Sequence, residues 1–253
     1  MTRPAHLNQP LCELLRGCGA EALELPLISI EQNADDPQLL HVLAAVGEVD
    51  IAVFVSRNAV VHGLAALQAY GRTMPSKTKV FAVGHMTAVA LEKAGIRVEG
   101  IPEGRFGAAG LHRLPAFRSV SGQRVVVFKG RGGLPALADE LRQAGASVLV
   151  AETYRRVVPQ DVNMDVIERW QQAGLDVVTL TSVTAVDHLF QLLQEKADRL
   201  MQNVVVATFS DRIARHCKAQ GCNGPVLVAN QASDEALVEE IVDYCCSRRF
   251  AIS

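Results

Sequence analysis

The feature that most constrains this chain is an internal repeat with an offset of 126 residues. Residues 50–60 read DIAVFVSRNAV and residues 176–186 read DVVTLTSVTAV, so Ser56 plus 126 is Ser182. Each copy starts with an acidic residue, continues with a short β-branched apolar run and places a serine before an amphipathic stretch. This pattern predicts a buried strand, a turn at the serine and then a helix.

The same offset relates most of the remaining chain. Residues 80–95 match residues 206–221, and residues 137–146 match residues 11–20. Solenoid repeats have units of about 20 to 50 residues, so a period this long indicates a duplicated domain instead. We therefore predict two related α/β units.

Strands alternate with helices along the whole sequence. The predicted helices have about 9 to 15 residues, a length typical of the crossovers between parallel strands covered on both faces. The predicted fold class is α/β, with two doubly wound parallel-sheet domains related by internal duplication. The predicted strands begin near residues 22, 50, 80, 97, 124, 147, 176, 204 and 226.

Composition excludes several classes of protein. The 25 basic and 27 acidic residues nearly balance, so the chain has no net positive charge that would attract nucleic acid or an anionic membrane. The longest apolar run, residues 39–55, carries His41, Glu48 and Asp50, so it does not predict a membrane span. The cysteines lack C-x-x-C spacing, which is typical of reduced thiols in a cytoplasmic protein; they stand at positions 12, 18, 217, 222, 245 and 246.

The turns at the carboxyl ends of the predicted strands are the candidate binding site. Ligands of open parallel sheets bind there, where helix N-termini offer unpaired N–H groups to carboxylates or phosphates. The pattern favours a small, multiply charged anion. The turns are Thr2-Arg3-Pro4, Ser56-Arg57-Asn58, Gly84 to Thr87, Lys129-Gly130-Arg131-Gly132, Thr181-Ser182 and Ser210-Asp211-Arg212.

Plainer interpretations of these residues stay open. Ser56 and Ser182 also have the residue type and the position of ordinary helix N-caps. Tyr154 either packs between domains or presents a phenol to a cleft. The run KGRGG at residues 129–133 lacks the spacing of nucleotide-binding loops, and the seven histidines lack metal-ligand spacing.

Six segments in order resemble the uroporphyrinogen-III synthase family. They are T-R-P at the start, D-x-x-x-F-x-S-x-N-A-V, V-G-x-x-T-A, G-R-G-G-x-x-x-L-x-x-x-L-x-x-x-G, a tyrosine followed by basic residues, and T-S-x-x-A-V. The resemblance covers nearly the whole chain. One departure is at the start: by the offset Met1 stands where Val127 stands, so the first repeat is expected to lack most of its opening strand.

The resemblance implies a discontinuous domain organisation. Residues 1–28 and 159–253 would form the first α/β domain and residues 31–153 the second. The runs near 28–32 and 152–159 would pair as a two-stranded β hinge. The offset alone does not distinguish this arrangement from two contiguous halves.

The resemblance also implies a function. Such enzymes close hydroxymethylbilane, a linear tetrapyrrole with eight carboxylates, to uroporphyrinogen III with inversion of ring D through a spiro intermediate, with no metal or organic cofactor. Tyr154 matches the family's tyrosine and is the candidate proton donor, or a group that orients the leaving hydroxyl. The candidate substrate contacts are Thr2, Arg3, Ser56, Asn58, Gly84, Thr87, Lys129, Arg131, Ser182 and Ser210.

The expected partner is therefore hydroxymethylbilane, with no nucleic acid or membrane, and the chain is expected to be a cytoplasmic monomer. The alternative is a non-catalytic two-domain protein that binds or senses a small anion. A phosphosugar enzyme would need an acid or base at a strand end, where only Asp211 and His85 stand.

Overall fold

The computed structural model describes residues 1–4, 7–102, 108–111, 113–133 and 135–250. The chain divides into two compact units. Unit 1 comprises Met1–Ser29 and Val157–Ser253, and unit 2 comprises Ile30–Arg156. Each unit has its own sheet and its own apolar core.

Strands and helices alternate, as the sequence pattern predicts. The strands are β1 (Ser29–Gln32), β2 (Ile51–Phe54), β3 (Lys79–Ala82), β4 (Arg124–Gly130), β5 (Ser147–Val157), β6 (Val177–Thr179), β7 (Val205–Thr208) and β8 (Val226–Val228). The α-helices are α1 (Gln9–Gly17), α2 (Pro37–Ala45), α3 (Arg57–Ala69), α4 (His85–Lys93), α5 (Ala108–Leu111), α6 (Pro135–Gln143), α7 (Met164–Ala173), α8 (Val183–Leu193), α9 (Ala197–Met201), α10 (Asp211–Gln220) and α11 (Asp234–Phe250).

The sheet of unit 2 has the order β1-β5-β4-β2-β3, and β5, β4, β2 and β3 pair in parallel. Its strands are buried on both faces because alternate residues enter different cores. Phe54 of β2 lies in one core, where its ring stacks on that of Phe128 at 4.4 Å. Its neighbour Val53 lies in the core on the other face. This arrangement explains why the strand sequences are continuously apolar.

The two crossing runs of the sequence pair in this sheet. β1 is the hydrogen-bonded neighbour of β5. The Asn33 backbone N–H donates to the Thr153 carbonyl at 3.1 Å, and the Arg155 guanidinium donates to the Glu31 carboxylate at 2.9 Å. β5 is longer than the strand predicted near residue 147, because the predicted strand and the crossing run form one continuous element.

The sheet of unit 1 is β6-β7-β8, with both pairs parallel. The first residues extend this pattern, since the Leu25 and Leu27 N–H groups donate to the carbonyls of Met1 and Thr2. In unit 2, Val127 of β4 pairs with Val150 of β5. The 126-residue offset relates these two residues to positions 1 and 24, which lie in the ladder at the start of the chain. The short ladder at the start of the chain is thus the counterpart of the β4–β5 pair.

Two predicted strands are not regular strands in the structure. Within the described part of the chain, the segment predicted near residue 22 has Met1 and Thr2 as its ladder partners, a run too short for a strand. The segment predicted near residue 97 makes one isolated parallel bridge, between Phe81 and Gly100. The α/β fold class with parallel sheets is nevertheless confirmed. Among the described residues, no helix is long and apolar enough to cross a membrane.

Candidate functional site

The candidate residues lie where parallel strands end and helices begin. In unit 2, Ser56 follows β2, Gly84 follows β3 and Lys129 is near the end of β4. In unit 1, Ser182 follows β6 and Ser210 follows β7. Each unit therefore has a carboxyl edge at which several helix N-termini come together.

Serine side chains cap three of these helices. The Ser56 hydroxyl accepts the Ala59 N–H at 3.1 Å, and the Ser182 hydroxyl accepts the Ala185 N–H at 3.1 Å. The Ser210 hydroxyl makes the equivalent bond. The interpretation as helix caps is confirmed for Ser56 and Ser182, and Ser210 caps α10 in the same way. Each side chain satisfies one N–H, so other N–H groups of the first turn remain for a ligand.

Tyr154 lies against the end of β4 in unit 2. It belongs to the main core of that unit and only 2% of it is exposed. Its phenolic oxygen lies 3.1 Å from the Ser56 hydroxyl. The ring covers Gly130 so closely that a Cβ at that position would lie 2.5 Å from the ring carbon Cζ. A side chain at this position would displace the Tyr154 ring, because real Cβ atoms essentially never approach another atom within 3.0 Å.

Two further side chains contact the Tyr154 ring. The His62 ring of α3 is 5.6 Å away between centroids, and the Arg156 guanidinium carbon is 5.8 Å from the ring centroid. Burial lowers the pKa of His62 below its ordinary value, so this imidazole is neutral at neutral pH. The cation beside the phenol is therefore Arg156, which is exposed.

Lys129 is nearly buried and its charge is compensated. Its ammonium lies 3.4 Å from a Glu152 carboxylate oxygen, which also accepts the Gly132 N–H at 3.3 Å. Arg131 is exposed instead, and its positive charge adds to the hydrogen bonds from Asn33 and Gln38 that lower the pKa of Asp36. Of these two cations, Arg131 is the one available to an incoming carboxylate.

The edge of unit 1 has a corresponding basic residue, since Arg3 plus 126 is Lys129. Its guanidinium donates to the Asp234 carboxylate at 2.5 Å and lies 5.1 Å from the Phe209 ring centroid. The side chains of this ion pair are only 12% and 20% exposed. The preceding residue, Thr2, turns its hydroxyl inward to the Thr179 carbonyl at 2.6 Å.

Replacing Asp234 with Asn should lower the free energy of unfolding by about 1–3 kcal/mol. The substitution keeps the shape of the side chain but leaves a mostly buried guanidinium without its negative partner. Urea titration at neutral pH and low salt, followed by circular dichroism, measures the change.

Asp139→Asn is the matched control. Asp139 pairs with Arg142 on α6 at 2.9 Å, but these side chains are 64% and 49% exposed. Exposed helix pairs of this kind contribute about 0.2–0.5 kcal/mol. Equal losses in the two variants would contradict the assignment of a desolvated ion pair to Arg3.

The remaining candidates differ in accessibility. Asn58 is half-buried in the first turn of α3, whereas Thr87 is buried within α4. The sequence interpretation missed Glu152, Asp234 and His62, and it named Gly130 only as a turn residue. The repeat offers one signal for Glu152 and Asp234. Lys129 and Arg3 stand at matching positions of the repeat, and a basic residue that is buried needs a negative partner.

Among the described residues, no three side chains of His, Cys, Asp or Glu are placed to hold a metal ion.

Comparisons with known proteins identify similarity over nearly the whole chain. A family model described as uroporphyrinogen-III synthase HemD matches residues 9–239. The uroporphyrinogen-III synthase of Escherichia coli is 28% identical over 242 residues, which cover 95% of this chain and 98% of that protein.

Solved structures show the same fold. Uroporphyrinogen III synthase from Thermus thermophilus, as a triple mutant, matches with a TM-score of 0.56 at 17% identity, covering 96% of each chain. Uroporphyrinogen-III synthetase from Helicobacter pylori matches with a TM-score of 0.57 at 16% identity, covering 87% of this chain and 92% of that one.

Proposed function

The chain belongs to the uroporphyrinogen-III synthase family of cyclising lyases in tetrapyrrole synthesis, and we propose that it closes hydroxymethylbilane to uroporphyrinogen III. The last pyrrole ring is inverted through a spiro intermediate and one water is lost. The observation that carries this proposal is the match of the family model to residues 9–239. The strand-end geometry supports it, because the substrate is a flexible molecule with many carboxylates.

Holding that substrate in a folded conformation is the larger task, and helix N-termini suit it. An anion at such a terminus gains about 0.3–1 kcal/mol from the helix dipole. A charge-assisted hydrogen bond contributes about 1.5–3 kcal/mol. Several such contacts hold a polyanion without a strongly basic surface. We assign direct carboxylate contacts to the first turns that follow Ser56, Gly84, Ser182 and Ser210, and to the side chains of Asn58 and Arg131.

Buried candidates are assigned supporting roles. The Thr2 hydroxyl is bonded to Thr179, and Thr87 is only 5% exposed. Lys129 and Arg3 are each paired with a carboxylate. We assign these four residues to holding the strand ends and helix starts in place, because each is buried or already paired.

The chemistry starts with loss of the terminal hydroxyl, and we assign its protonation to Tyr154. The phenolic O–H bond breaks and its proton goes to the leaving oxygen. The C–O bond then breaks with its electron pair on oxygen, which gives water, an azafulvene cation and a phenolate. The carbon that closes the ring later loses a proton, which restores the phenol. The enclosed ring supports this role, because bulk water is kept away from the proton donor.

We also propose that the protein works in the cytoplasm. All six cysteines are free thiols, which favours a reducing compartment such as the cytoplasm. We also propose that the protein acts as a monomer, and sedimentation at the concentration of the activity assay measures this.

The test is the isomer of the product. Purified protein is supplied with freshly generated hydroxymethylbilane, the product is oxidised, and type I and type III porphyrins are separated. A predominance of type III is the expected result, because spontaneous closure gives type I. If only type I forms while circular dichroism shows an intact fold, the enzymatic proposal is wrong and the small-anion binder becomes the better explanation.

A further inference from the structure

The Ser56 hydroxyl has two neighbours, and only one of them is explained by helix capping. It accepts the Ala59 N–H at 3.1 Å and lies 3.1 Å from the Tyr154 phenolic oxygen. A serine hydroxyl has one hydrogen and two lone pairs. The helix uses one lone pair, so the hydroxyl hydrogen is still available to the phenol.

The other half of the repeat shows that capping does not require this second contact. Ser182, at the equivalent position, caps α8 through the Ala185 N–H with the same 3.1 Å geometry. The position equivalent to Tyr154 is residue 28, because 154 minus 126 is 28, and an isoleucine stands there. Both serines therefore cap a helix, but only Ser56 has a tyrosine hydroxyl at its side in the equivalent position.

Tyr154 is held on several sides, and its hydroxyl is hydrogen-bonded to Ser56. Its backbone carbonyl accepts the Arg131 N–H at 2.8 Å, and its ring lies against Gly130. Within the described residues, Ser56 is the only group that hydrogen-bonds the phenolic oxygen. The direction of the phenol O–H therefore depends on which of the two hydroxyls donates.

We propose that Ser56 is a positioning residue that acts through Tyr154. Its hydroxyl donates to the phenolic oxygen, so the phenolic hydrogen points away from Ser56 and toward the leaving hydroxyl of the substrate. The Ala59 N–H, the Ser56 O–H and the Tyr154 O–H then form one chain of donors. Such chains polarise their members and strengthen each bond. The inference rests on the proposed function, with Tyr154 as the proton donor.

The contribution of Ser56 grows as the reaction proceeds. When the phenolic proton moves to the leaving oxygen, the Ser56 O–H comes to donate to a negatively charged oxygen. Hydrogen bonds to ionised acceptors are shorter and roughly twice as strong as neutral ones. Interactions that strengthen in the transition state raise kcat without tightening substrate binding. Ser56 is therefore expected to affect kcat more than KM.

The test is a double-mutant cycle on kcat with Ser56→Ala and Tyr154→Phe. Ser56→Ala alone is expected to lower kcat by about 10- to 100-fold, the effect of one charge-assisted hydrogen bond. In the Tyr154→Phe background the same substitution should cost less than about threefold, because the partner is already absent. Ser56→Thr, which keeps a hydroxyl at the cap, should recover most of the activity.

Ser182→Ala is the matched control, because it removes the same type of cap from α8. Its effect on kcat should be the same in the presence and absence of the Tyr154 hydroxyl, since the two residues share no partner. If Ser56→Ala is too unstable, Ser56→Gly serves in its place, because glycine is a tolerated cap without a hydroxyl.

The outcomes separate this inference from the proposed function. Equal effects of Ser56→Ala in both backgrounds, or an effect on KM alone, would overturn the positioning role while the wild-type protein still forms type III product. Wild-type protein that forms only type I product would instead refute the proposed function itself.

Discussion

Tyr154→Phe is expected to lower kcat by about 100- to 10,000-fold, the range that one general acid contributes. The substitution removes the phenolic proton and leaves the enclosed ring in its place. The fold should lose only the bond to Ser56, about 1 kcal/mol. Steady-state formation of type III product, with the urea midpoint of the same sample, measures both effects.

Tyr70→Phe is the control for this substitution. Tyr70 ends α3 and is 41% exposed, so loss of its hydroxyl should leave kcat and stability unchanged. Full activity of Tyr154→Phe would exclude the proton-donor role. A loss below about tenfold would favour a role in orienting the leaving hydroxyl over proton donation.

Gly130→Ala is expected to lower kcat by at least about 100-fold, because the new methyl group displaces the Tyr154 ring and with it the proton donor. The added Cβ would lie 2.5 Å from Cζ and 2.9 Å from the phenolic oxygen. The ring is packed in the core and cannot move freely, so the free energy of unfolding should also fall, by about 1–3 kcal/mol. Activity assays measure the loss of kcat, and urea titration measures the loss of stability.

Two further variants isolate the steric cause. Gly47→Ala adds the same methyl group where no atom lies within 4 Å, so its stability should stay within about 0.5 kcal/mol of wild type. In a Tyr154→Ala background the methyl at residue 130 has room, and Gly130→Ala should then cost little stability. An equal cost with and without the tyrosine ring would contradict the close packing at Gly130.

The sequence predicted the helices and strands that have strong patterns. The acidic residue, apolar run and serine of residues 50–60 give β2, the Ser56 cap and α3, because each local preference agrees with the fold. The segment near residue 97 was wrongly predicted as a regular strand. Its backbone makes one isolated bridge, at Gly100, in place of a ladder.

The candidate site was only partly predictable. Positions at strand ends follow from the alternation of strands and helices, so Ser56, Ser182 and Ser210 could be named as turn residues. Their contacts could not, because partners such as Asp234 for Arg3 are separated by more than two hundred positions in the chain. Hydrogen bonds across such distances depend on register and packing, which composition and periodicity do not specify.

The sequence by itself determined the α/β class and, through its ordered motifs, the family, and its repeat predicts the duplication. These properties follow from local patterns repeated at a fixed offset. Only the tertiary structure decided which serine meets a phenol, which cations are already paired and why Gly130 must lack a side chain. Those answers depend on distances of a few ångströms between distant segments, and such distances are set by how the strands and helices of each unit pack together.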